Sequence, residues 1–182
     1  MTLQEPEWEV LAGLPSYGDP ALPFSDTGQG LHREGLVVRF RLPSGMTWTG
    51  NFQRGYGECE TVRLHPNKHE VVVVAGGTAY IVDPTEQKSI RSFGGDLQFA
   101  ADIPSIEALV VGNGLWFECL RAQGGGWRTR RISWDGMREV HVVDGTELRG
   151  EAYSPLDDGW HSFTVNLANG NVTGGSYNGP PM

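Results

Sequence analysis

Asp157 and Asp158 stand just ahead of His161, and these three are the densest group in the chain that could move a proton. A carboxylate pair beside an imidazole can serve general acid–base chemistry, as in a small hydrolase or lyase. Asp-Asp-Gly is also ordinary hairpin chemistry, because Asp tolerates turn conformations. A second group is Trp127, Arg128, Arg130 and Arg131, with Arg121 on the expected partner strand. Strand alternation places Arg128 and Arg130 on one face and Trp127, Thr129 and Arg131 on the other. Such a basic, aromatic-flanked face could hold a carbohydrate or a small anion. The plainer alternative is a solvated outer strand whose arginines pair with Glu118 or Glu139. Trp116, Trp127, Trp134 and Trp160 fall near expected strand ends, where they either stack on a ligand or fill a core; Trp160 joins the binding candidates.

Five histidines complete the inventory: His32, His65, His69, His141 and His161. His65 and His69 flank the turn Pro66-Asn67-Lys68, and a metal there would need a third ligand such as Asp102. Turn histidines are ordinarily solvated, so no metal is expected. No P-loop, dinucleotide fingerprint, nucleophile elbow or zinc signature occurs, and no cofactor is expected.

The elements that must position these residues are strands. The chain has 182 residues, 38% of them hydrophobic and 20% charged, with 26 Gly and 11 Pro. That composition favours one all-β domain dense in tight turns. The formal charge of −8 repels a phosphate backbone, so nucleic acid is not expected as a partner. The N-terminal segment lacks a basic and apolar leader, and no apolar run approaches a membrane span. A cytoplasmic protein is expected. Cys59 and Cys119 are expected as buried free thiols rather than a disulfide framework.

Residues 1–35 are rich in Pro and Gly and read as an arm packed on the domain. Trp8, Val10 and Leu11 fit a short strand or docking anchor. Residues 36–177 read as strands and turns throughout, and 178–182 as a short tail. Leu36–Leu42 and Met46–Phe52 form a hairpin around Pro43-Ser44-Gly45. Three runs of four strands follow. The first takes 60–64, 71–74, 78–82 and 89–93. The second takes 98–103, 108–111, 115–120 and 127–133. The third takes 138–143, 148–153, 160–167 and 171–177, with Asn169-Gly170 as its last turn. Val71–Val74, unbroken and β-branched, suits a strand covered on both faces. Gly77, Gly114 and Gly159 recur about 40 residues apart, and positive φ is expected at Gly77 and Gly114.

This grammar of strand count, turn placement and period resembles the four-stranded blades of β-propellers of the YVTN and WD-repeat kind. A Trp-Asp pair occurs once only, at Trp134-Asp135. The segments Gly112–Glu118 and Arg131–Met137 also resemble an uncharacterised bacterial protein family, a resemblance that implies no activity. The expected fold is all-β: about three four-stranded antiparallel blades plus the N-terminal hairpin, in a partial or open propeller-like arrangement. Closed propellers carry four to eight blades. Three arrangements therefore stay open: the arm completes a fourth blade, two chains close one ring, or the blades form an open arc capped by the arm. The expected edges are the hairpin 36–52 and the Gly-rich strand 171–177.

The functional expectation is a non-catalytic binding module that meets a protein partner through its blade loops, as a monomer or homodimer. Toxin-neutralising immunity proteins are an analogy of that kind. The alternatives are the hydrolase or lyase at Asp157, Asp158 and His161, and the carbohydrate or anion binder at Trp127, Arg128 and Arg130.

Overall fold

Period-two apolar alternation interrupted by Gly and Asx turns gives an all-β chain. The computed structural model describes residues 5–28 and 33–180, and among them no segment is α-helical. Among the described residues no helix is long and apolar enough to cross a membrane. The contacts divide the chain into two compact units, Met1–Leu97 and Gln98–Met182.

The first unit holds two sheets. One is built on the hairpin β3 (Leu36–Arg41) and β4 (Thr47–Phe52), flanked by β1 (Glu7–Leu11) and β2 (Leu22–Phe24) in the order β1-β3-β4-β2. β1 runs antiparallel to β3, and β2 runs parallel to β4. The hairpin 36–52 is therefore the centre of its sheet and not an edge. Both edge strands come from the arm: β1 is the short strand expected around Trp8–Leu11, whereas β2 lies in a stretch that reads as turn-rich. The second sheet is the meander β5 (Thr61–Leu64), β6 (Val71–Ala75), β7 (Thr78–Asp83) and β8 (Lys88–Gly94). Every residue of β6 is buried, as its unbroken apolar run requires.

Phe52 centres the core of this unit. Its ring stacks on Phe24 at 4.7 Å and lies 5.4 Å from Tyr80. Tyr80 is fully buried, and its hydroxyl donates to the Gln53 carbonyl at 2.9 Å. Burial, aided by the negative charge of Asp26, pushes the phenol up to about 12. An unfolded tyrosine ionises near 10. The folded state thus keeps a proton that the unfolded state gives up. The stabilisation is whole below about pH 10 and is lost as pH rises towards 12, a difference of about 3 kcal/mol. Tyr80→Phe is expected to remove that extra loss, read as a flatter dependence of the urea midpoint on pH between 9 and 12 or so. Equal slopes in the two proteins would contradict it.

The second unit also holds two sheets. β9 (Phe99–Ile103), β10 (Ala108–Gly112) and β11 (Phe117–Arg121) form one, and β12 (Met137–Val143), β13 (Glu147–Ser154), β14 (Gly159–Asn166) and β15 (Val172–Gly174) the other. None of the four sheets closes into a barrel. Phe117, Phe163, Val165, Leu148 and Ile132 are among the buried side chains of this core.

The expected fourth strand of the second repeat, 127–133, is present only as a bridge of Arg128 to Glu118. Cys119 N–H reaches Trp127 O and Thr129 N–H reaches Phe117 O, but the ladder stops there. The Phe117 N–H that should return a bond to Thr129 O goes instead to the Thr129 hydroxyl at 3.0 Å, and Leu115 O accepts from Ile132 rather than from Arg131, one residue out of register. Beyond this point Asn113 closes an Asx turn. Trp116 N–H donates to Asn113 Oδ1 and Trp116 O accepts Asn113 N–H. The same Asx turn corrects the expectation at Gly114. Gly77 has φ +84° in a two-residue turn with Gly76 at +51°, whereas Gly114 is not in the positive-φ region. Asn113 closes that turn with its side chain, so no left-handed residue is needed. Gly114 instead permits a close backbone approach, because a Cβ there would lie 3.1 Å from Gly136 Cα.

Cys59 and Cys119 are free thiols. Cys119 is buried as expected, while Cys59 is only half-buried, and burial pushes both thiols up.

Candidate functional site

The hairpin β13–β14 determines where the proton-moving candidates fall. Tyr153 pairs with Trp160, Ala152 with His161 and Gly150 with Phe163. Alternation then puts His161 on the face of buried Ala152 and Phe163, and Trp160 with Tyr153 on the opposite, outer face. The two aspartates divide in the same way. Asp157 engages His161 Nε2 at 2.9 Å, and Asp158 accepts the Tyr153 hydroxyl at 2.7 Å. Hydrogen bonds from His161 and then Ser154 hold the Asp157 carboxyl below its usual range. The bond to Asp158 pushes the Tyr153 phenol up. Asp157, Asp158 and His161 therefore do not converge on one point. The structure makes an Asp–His dyad on one face and an Asp–Tyr pair on the other.

The outer face carries more than that pair. Tyr153 and Trp160 rings lie 5.2 Å apart. The Arg138 guanidinium sits 4.1 Å over the Trp160 ring, and its Nε donates to Glu151 at 2.7 Å. Arg138 reaches this place because its strand partner is Glu151, two residues along β13 from Tyr153. Trp160 is 38% exposed, and Leu156, at the hairpin tip, is 71% exposed. Arg138, Tyr153 and Leu156 were not among the sequence candidates. The signal for Tyr153 lies in the turn Ser154–Gly159: its centre fixes the register that sets Tyr153 against Trp160.

The remaining binding candidates lie elsewhere. Trp127 Nε1 donates to Leu167 O at 2.9 Å, at the opposite end of β14 from Trp160. A strand of that length separates them by roughly 20 Å. Arg130 donates to Arg131 O and Gly174 O, and Arg121 donates to Ala168 O. Arg131 donates to Ser133 O and Trp134 O. Arg130 thus reaches β15 and Arg121 the turn before it, while Arg131 holds the irregular backbone that follows it. Arg128 is exposed and stacked 3.8 Å over Trp116.

Of the histidines, His32 lies outside the described residues. His65 Nδ1 accepts Asn67 N–H at 3.2 Å and lies 3.6 Å from Glu70, inside its own turn. His65 and His69 belong to the first unit and Asp102 to the second. Among the described residues no three His, Cys, Asp or Glu side chains gather as a metal would need.

No family model matches the chain, and no curated protein matches it. One solved structure, described as "Kluyveromyces lactis Hsv2 complete loop 6CD", is similar over 78% of this chain, with a TM-score of 0.46 and 15% identity. The chain spans about half the length of that protein, 47% of it.

Proposed function

We propose that the chain is a non-catalytic, propeller-like binding module that holds a protein partner on the outer face of the β12–β15 sheet and its β13–β14 loop. The observation that carries this reading is the assembled, solvent-facing group of Arg138, Tyr153 and Trp160. Arg, Tyr and Trp are the residue types that dominate binding energy at protein interfaces. Here Arg138 is held by Glu151 and Tyr153 by Asp158, and Trp160 packs against both, so little rotamer freedom is left to lose on binding. Leu156 extends the patch with exposed apolar surface. The chain's charge of −8 favours a basic partner and speeds the encounter. An immunity-type role against a basic toxin domain is one form of this reading. The cytoplasm is the compartment that goes with it. The separation of Asp158 from the Asp157–His161 dyad weighs against the hydrolase alternative.

The test is affinity capture from the cells that make the protein, with the wild type, Arg138→Ala, Trp160→Ala and Ile90→Ala. Ile90 is 51% exposed in the first unit and serves as the surface control. A basic protein should be retained by the wild type and by Ile90→Ala. Each patch variant should weaken it by about 30-fold or more, the effect of losing roughly 2 kcal/mol. Identical capture by all four proteins would sink the proposal.

A further inference from the structure

The first unit holds a cavity of about 690 Å³ at the outer side of the β3–β4 hairpin, against the loop between β1 and β2. That volume lies in the range of small-molecule sites. Arg39 and Arg41 line it. They alternate with buried Val38 and Phe40, so both point outward, roughly 7 Å apart along one face. Their partners across the hairpin, Thr49 and Thr47, add two hydroxyls to the same face. On the other side of β3 the register sets Glu9 beside Arg39 and Glu7 beside Arg41. The outcome differs between the two. Arg39 pairs with Glu9 at 3.3 Å, whereas Arg41 makes no ion pair among the described residues. An uncompensated guanidinium in a concave site, on a chain of net charge −8, concentrates anions there against the overall field. Its planar fork matches a carboxylate or phosphate edge.

The rest of the lining is not a charge site alone. Tyr17 is 92% exposed on the loop wall and offers a ring face. Asp19 lines the cavity too and repels an anion, which leaves the head group to the arginines. We propose that this cavity binds a small organic oxyanion, a carboxylate or phosphate carried on an aromatic body. The site is in a different unit from the protein-binding patch, so either proposal can fail alone.

The experiment titrates the ¹⁵N-labelled full chain with phenyl phosphate, phenylacetate, inorganic phosphate and benzyl alcohol. Phenyl phosphate or phenylacetate is expected to give saturable amide shifts at Arg41, Thr47 and Thr49, and the stronger of the two tells phosphate from carboxylate. Arg41→Gln, an exposed change, should weaken that binding tenfold or more, and Arg41→Lys by less. Tyr17→Ala should weaken the aromatic anion but not inorganic phosphate. The proposal is overturned if neither aromatic anion saturates, or if Arg41→Gln binds as well as the wild type. It is also overturned if inorganic phosphate or benzyl alcohol matches the aromatic anion.

Discussion

Gly77→Val is expected to destabilise the first unit by about 4 kcal/mol, and Gly114→Ala to change stability by less than about 1 kcal/mol. The two glycines occupy corresponding places in the sequence repeat, yet their physics differs. Gly77 has φ +84°, where a β-branched residue is strained. A Cβ there would also sit 2.8 Å from Leu97 N and 3.1 Å from Asp96, both backbone. That backbone cannot yield cheaply, because Gly77 O accepts both Gly95 N–H and Leu97 N–H while Gly77 N–H donates to Cys59 O. Gly114 has neither the positive φ nor several close neighbours, and its Cβ would press on Gly136 alone among backbone atoms. Urea denaturation of the two variants checks this. Equal midpoints would show that the turns are equivalent after all.

Phe52→Ala is expected to cost about 3–5 kcal/mol, the range for emptying a well-packed aromatic site. Phe52 is fully buried, and its ring meets Phe24, Phe40 and Tyr80 within 6.3 Å. Those neighbours come from β2, β3 and β7, so no single strand can shift to refill the space. Ile90→Ala, half-exposed on β8, should stay within about 0.5 kcal/mol. A loss below about 1 kcal/mol in Phe52→Ala would mean that the two sheets do not depend on this ring.

Local grammar made most strands legible. β6 is marked by its unbroken apolar run, and β12 to β15 by alternation between Gly or Asx turns, signals carried by adjacent residues. What was not legible depended on distant partners. β2 is three residues including Pro23, too short to announce itself, and it is a strand because β4 lies beside it. The fourth strand of the second repeat failed for the opposite reason. Its sequence alternates well, but the Thr129 hydroxyl takes the Phe117 N–H that the ladder needed, and the pairing slips by one residue at Leu115.

The candidate site was half legible. Trp160 was visible as an aromatic near a strand end. Its neighbours Tyr153 and Arg138 needed the register of two successive hairpins, and β12 carries an irregularity between Arg138 and His141 that hides it. Asp157 and Asp158 are adjacent in sequence but serve opposite faces of one hairpin, so proximity along the chain overstated their cooperation.

The outer face of the last sheet is proposed to hold a protein partner. Site-specific photocrosslinking tests it most directly, with benzoylphenylalanine in place of Leu156 and, as a control, in place of Ile90, both in the cells that make the protein. One discrete adduct to a basic protein is expected from position 156, none from position 90, and loss of the adduct when Arg138→Ala and Trp160→Ala are combined. No adduct from position 156, or one that persists unchanged in the double variant, would contradict it.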